Sequence, residues 1–135
     1  MTSPLTTTAD RWDVDLAGRT IEMLTIHHRV TVHLHSSTGY DGSVILETPS
    51  PSTTRDTAIR LDPEATPTLT RILERFAKTV AAISISRTEG TLTLPFADGA
   101  VISAASGADF EAWEVNALGI KIIAVPGGGE PAVFA

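Results

Sequence analysis

The sequence predicts a mainly β (α+β) fold: internally duplicated antiparallel meanders forming a small sandwich or partly open barrel, with one amphipathic helix near 67–77. Three observations predict it. First, the chain repeats an order of short alternating runs. Gly18-Arg19-Thr20-Ile21, Leu24-Thr25-Ile26, Val30-Thr31-Val32-His33-Leu34 and Asp41-Gly42-Ser43-Val44-Ile45 are answered by Ala77-Lys78-Thr79-Val80, Ile83-Ser84-Ile85, Leu92-Thr93-Leu94-Pro95-Phe96 and Asp98-Gly99-Ala100-Val101-Ile102. Second, the runs are joined by loops too short for a crossover, which makes antiparallel pairing the default. Third, a lone helix does not cover two open sheet faces, so the sheet has to fold on itself.

Residues 1–10 are Thr-rich without an apolar run and read as a disordered tail, leaving a single domain over 11–135. Trp12, Val14 and Leu16 alternate with Asp13, Asp15 and Ala17, the period-two pattern of a half-buried strand. Gly18 admits a bend into the first module, 18–48. Ile21, Met23 and Leu24-Thr25-Ile26 lead to a tight connection at His27-His28-Arg29. Val30, Val32 and Leu34 then point one way and Thr31, His33 and His35 the other. Ser36 to Tyr40 reads as a loop and Asp41-Gly42 as a turn in which Gly supplies positive φ, with Ser43 to Thr48 the next strand.

Linker and helix occupy 49–77. Pro49 to Asp56 is poor in apolar residues and rich in turn formers, a surface loop, and Thr57 to Leu61 reads as a short strand. Asp62-Pro63 and Thr66-Pro67 both place a capping residue before a proline at the first helical position. A second proline disrupts a helix already begun at Pro63, so the main helix starts at Pro67. Leu69, Ile72, Leu73 and Phe76 form its apolar stripe, while Arg71, Glu74 and Arg75 face water. A helix of about three turns is unstable alone, so it is expected to lie on the sheet. The second module, 77–104, has a hairpin loop at Arg87-Thr88-Glu89-Gly90, and Pro95 marks an edge position or a bulge. The C-terminal strands fill 110–134: Phe110 to Val115, Ile120 to Val125 and Ala132 to Phe134, separated by a turn region at Asn116–Gly119 and a loop at Pro126–Gly129.

Composition narrows the function classes. The chain of 135 residues has no cysteine, which excludes disulfides, thiolate metal sites and cysteine catalysis and suits a reducing compartment. Its net charge of −6 argues against nucleic acid and against anionic membranes, and leaves room for a basic protein partner. No run of apolar residues reaches membrane-spanning length, so a soluble cytoplasmic protein is expected.

Three groups of residues carry possible chemistry. His27, His28, His33 and His35 cluster, and His33 and His35 share a strand face. Imidazoles at that spacing bind Zn²⁺ when a carboxylate such as Asp41 or Glu47 completes the set; otherwise they are polar residues on the solvent side of an amphipathic strand. Glu111, Trp113 and Glu114 form a second group. An aromatic flanked by carboxylates serves as a partner-binding surface, but the same Trp113 also reads as a core residue whose N–H bonds a backbone carbonyl. Pro126-Gly127-Gly128-Gly129 lacks the following helix and lysine of a phosphate loop and reads as a flexible turn. No nucleophile elbow, zincin motif or Walker loop is present, so no catalytic residues and no cofactor are assigned.

The series Leu16-Ala17-Gly18-Arg19-Thr20-Ile21, Val30-Thr31-Val32, Phe96-Ala97-Asp98-Gly99, Phe110-Glu111-Ala112-Trp113-Glu114-Val115 and Val125-Pro126-Gly127-Gly128-Gly129 resembles a group of small actinobacterial proteins, a domain family of unknown function, over residues 12–134. This chain departs from that pattern in its second start, Ala77-Lys78 in place of Gly-Arg, and in the loop at 49–56. The resemblance implies a fold and a bacterial setting but no site.

Together these features lead to a non-catalytic protein-binding module, immunity-like or an adaptor. The competing expectation is a metal-dependent or small-molecule enzyme using the His27–His35 cluster. A third is a homodimer through strand edges at Thr91–Phe96 or Val133-Phe134.

Overall fold

The computed structural model describes residues 5–26, 29–46, 50–54, 57–61, 73–105 and 111–134. The described strands form two antiparallel sheets and no closed barrel. The first sheet orders β1 (Leu5–Thr7), β2 (Arg11–Val14), β8 (Ile83–Ser86), β9 (Leu92–Pro95) and β10 (Val101–Ala104), and the hairpin of β6 (Ser50–Thr54) and β7 (Thr57–Leu61) extends it beyond β10. The second orders β13 (Ala132–Phe134), β12 (Ile120–Ile123), β11 (Trp113–Ala117), β5 (Gly39–Leu46), β4 (Val30–Ser36) and β3 (Thr20–Ile26).

Alternation places the core. Trp12, Ile85 and Leu94 of the first sheet and Val32, Leu34 and Trp113 of the second belong to one buried apolar cluster. Each fully buried Leu or Ile there contributes roughly 1.5–3 kcal/mol relative to exposure.

The two meanders pair in the same register. Thr25 opposes Thr31 and Ile26 opposes Val30 in the first, as Ser84 opposes Thr93 and Ile85 opposes Leu92 in the second. Ile21 opposes Leu34, as Val80 opposes Phe96. Their opening segments also bond each other. Gly18 N–H donates to Val80 O (2.9 Å) and Ala77 N–H to Ile21 O (2.7 Å); Ile21 N–H donates to Lys78 O (3.1 Å) and Val80 N–H to Arg19 O (2.8 Å). Exchanging the two segments residue for residue maps this set of bonds onto itself. Gly18 and Ala77, at matching positions, both have positive φ, 84° and 66°.

The third strands depart from the expected alignment. Val32 pairs Val44 while Leu94 pairs Ile102, one residue out of step with the Asp-Gly motifs. Asp98-Gly99 is a turn, with Gly99 at φ 93°. Asp41-Gly42 is not: it lies inside β5, and the hairpin turns earlier, at Ser37-Thr38. Gly42 is needed for a different reason. A Cβ there would sit 2.7 Å from Ala117 Cα and 2.6 Å from Asn116 O on the neighbouring strand.

Other expectations are corrected by pairing partners that local sequence does not reveal. The tail 1–10 contains β1, paired to β2. The loop at Pro49–Asp56 contains β6, paired to β7 and β10. Pro95 is on neither an edge nor a bulge: it ends the interior strand β9, where only its carbonyl is used toward Ala81. Thr91–Phe96 is therefore no free edge, whereas β13 is an edge among the described strands.

Most of the expected helix, 67–72, lies outside the described residues, and no complete helix is formed among them. Its described end is a single helical residue, Leu73, followed by a turn over 74–77, with Phe76 N–H donating to Leu73 O. Glu74 faces water there as expected, but the other expected faces are exchanged. Leu73 and Phe76 are exposed, while Arg75 is 4% exposed, because Asp98 accepts from its Nη1 with both oxygens (2.9 and 2.8 Å) and Phe96 lies under its guanidinium. A buried cation needs such a partner.

Candidate functional site

The outer face of the second sheet holds the candidate site. Register sets its rows. Met23, His33, Ser43, Asn116, Lys121 and Phe134 oppose one another in turn across the six strands. Thr25, Thr31, Ile45, Glu114, Ile123 and Ala132 make the neighbouring row.

An open groove of about 550 Å³ lies at one end, lined by Tyr40, Asp41, Asn116, Leu118, Lys121 and Phe134 among others. Tyr40 is 57%, Phe134 55% and Leu118 37% exposed. Three separate elements deliver them: Tyr40 from β5, Leu118 from the β11–β12 turn, Phe134 from β13. Asp41 beside them accepts from Arg19 Nε at 2.9 Å. A hydrogen bond from Ser36, then that guanidinium, hold the Asp41 carboxyl below the usual carboxylate range.

A smaller cleft of about 90 Å³, lined by Arg29, Ile45, Glu111, Trp113 and Glu114, lies on the same sheet. It gathers the three residues named from sequence, but not as a face led by tryptophan. β11 begins at Trp113, so Trp113, Val115 and Ala117 point inward and Glu114 and Asn116 outward. Trp113 is fully buried and its Nε1–H donates to Gly90 O at 2.9 Å, so its indole offers no anchor to a partner. Glu111 is exposed ahead of the strand. Glu114 accepts from Asn116 Nδ2 and lies 3.5 Å from Lys121 Nζ, a polar chain that connects the cleft to the groove.

His33 and His35 do share the outer face of β4. His33 Nε2 and Thr25 Oγ1 are 3.0 Å apart, and His35 Nδ1 is 3.6 Å from Glu22 Oε2. Their rings flank Tyr40, with centroids 6.1 and 5.5 Å from it. Burial, then the neighbouring His35, push the His33 pKa down. Among the described residues no three His, Asp or Glu side chains converge as a metal-holding group. His27, His28 and Glu47 lie outside the described residues.

The corresponding face of the first sheet carries Thr6, Asp13, Ser84, Thr93 and Ser103 in one row, all short side chains. Tyr40, Leu118 and Phe134 were not singled out from sequence as site residues. Their signal was present only as a lone tyrosine beside a misread turn, a turn region, and an apolar last strand.

Among the described residues no helix is long and apolar enough to cross a membrane. The model of a family of unknown function, DUF6188, matches residues 12–135. No curated protein and no solved structure matches the chain.

Proposed function

The chain belongs to the DUF6188 family, a family of unknown function, and on that premise we propose that it is a non-catalytic protein-binding module, immunity-like or an adaptor, that recognises its partner with the outer face of the second sheet. One observation carries the reading: Tyr40, Leu118 and Phe134 converge from three elements on one groove and remain exposed. Aromatic side chains anchor interfaces because they bury much area for little conformational entropy. A cluster of them left open to water costs solubility unless a partner covers it.

The matched registers support reading the two meanders as duplicates, one kept as a plain hydroxyl-faced scaffold and the other adapted for recognition. The net charge of −6 favours a basic partner, by steering and by excluding acidic ones. An actinobacterial cytoplasmic setting fits the absence of cysteine and the motif resemblance.

The test is affinity purification from the native host with the tagged chain and with a Tyr40→Ser/Phe134→Ser double variant. A basic protein recovered with the wild type should bind the variant at least about tenfold more weakly, the loss expected of one interface hot spot. Repeated purifications without a partner, or equal recovery by the variant, would overturn the proposal.

A further inference from the structure

We propose that β13 is a releasable strap, hinged at Gly127–Gly129 and latched by the Arg87–Glu130 ion pair, whose opening takes Phe134 out of the groove. The hinge is built for motion. Gly127, Gly128 and Gly129 all sit at φ of 87–88°, a conformation that costs side-chain-bearing residues and that glycine enters and leaves freely. Beyond it the strap holds on weakly. β13 has three residues and, among the described strands, pairs on one side only, with β12. Pro131 is buried, but Val133 and Phe134 are 37% and 55% exposed, so the paired strand itself buries little apolar surface.

The latch is the other attachment. Glu130 Oε1 accepts from Arg87 Nε (3.0 Å) and Nη2 (2.8 Å). Arg87 is itself held in place: its Nη1 donates to Thr8 O at 2.6 Å and its guanidinium lies 5.1 Å from the centre of the Trp12 ring. The cation thus belongs to the body, anchored to the β8–β9 hairpin loop and the β1–β2 connection, while the anion belongs to the strap. Glu130 is half exposed, so water and salt compete for it directly. Opening removes the Phe134 wall of the groove and leaves β12 as the sheet edge. If the partner-binding reading holds, the latch then sets how often the groove is complete; the strap itself rests on the fold alone.

Native-state hydrogen exchange on the free full-length protein tests it and requires no partner, so its failure is separate from that of the binding reading. In the wild type, amides of Ala132–Phe134 should exchange at least about 100-fold faster, after correction for intrinsic rates, than those of the central strand β4. Glu130→Gln should speed β13 exchange a further three- to fivefold, roughly the share of one exposed ion pair, and leave β4 unchanged. Molar salt should do the same to the wild type and add nothing to Glu130→Gln. A β13 that exchanges at the rate of β4, or a Glu130→Gln effect equal in both strands, would overturn the proposal, because either means that the strand leaves only with the whole fold.

Discussion

Leu118 carries two costs at once. It sits at φ 54° in the two-residue turn between β11 and β12, followed by Gly119 at φ 82°, a turn that asparagine or aspartate followed by glycine fills without strain. A leucine there pays roughly 1–2 kcal/mol for the left-handed conformation. It also leaves an apolar side chain in water. Folding explains neither, whereas under the proposed binding role contact with a partner in the adjoining groove would explain both. Leu118→Asn should therefore raise stability by about 0.5–1 kcal/mol in urea denaturation, while weakening partner capture. Loss of stability would instead mean that Leu118 packs within the fold. Residue roles were legible from sequence unevenly. Trp113 was readable as a core tryptophan seeking a carbonyl, since an indole N–H must bond when buried. Arg75 was not readable, because its burial depends on Asp98 and Phe96, residues of another element that no local pattern brings near it.

At the scale of elements, the segments that open the two meanders make opposite use of the same backbone. Gly18 and Ala77 are equivalent in their reciprocal hydrogen bonds and both have positive φ, but only one is glycine. Space around a Cβ at Gly18 is open, so Gly18→Ala tests conformation alone. It should cost about 0.5–1 kcal/mol: the left-handed penalty less the gain from stiffening the unfolded chain. Ala77→Gly should return a similar amount, and equal signs for the two substitutions would refute the equivalence. Much of the strand content was legible. Alternation marked β2, β4 and β9, an apolar run marked β13, and the loop Arg87–Gly90 fell where expected. What failed depends on pairing. Asp41-Gly42 has the composition of a turn, but the bulge near His35 shifts β5 by one residue relative to β10, and a one-residue shift reverses which side chains face the core. β6 looked like a loop because its strand character comes from β7 and β10, not from its own residues. The aromatic groove was illegible for the same reason, since its walls meet only after three strands have found their register.

Among the described residues, three groups with depressed pKa values tie the stability of the whole fold to acid. His33 is lowered by burial and then by His35, Asp41 by Ser36 and then Arg19, and Asp98 by the Ala100 N–H and then Arg75. A depressed pKa means that the unfolded chain binds the proton more readily, so each contribution is complete above the unfolded value and is lost as pH falls toward the folded one. Two windows follow. The His33 contribution fades below about 6.5, and those of the two aspartates fade below about 4. The second window has a structural consequence as well. Protonating Asp98 removes the anion from Arg75, a nearly buried guanidinium over Phe96, and an unpaired buried cation is among the costliest groups a fold can hold. Acid also relieves the repulsion implied by a net charge of −6, an effect of opposite sign that acts over long range. At about 0.15 M salt that repulsion is screened beyond roughly 8 Å, whereas the Arg75–Asp98 contact is not. Urea midpoints measured in such salt should thus fall in two steps, a small one from about pH 7.5 to 5.5 and a larger one below about 4. Asp98→Asn should lower the midpoint at neutral pH and shrink the second step, since the contact it would lose in acid is already gone. A midpoint that rises between about pH 7.5 and 5.5 would show that global repulsion, not the burial of His33, governs the molecule in that range.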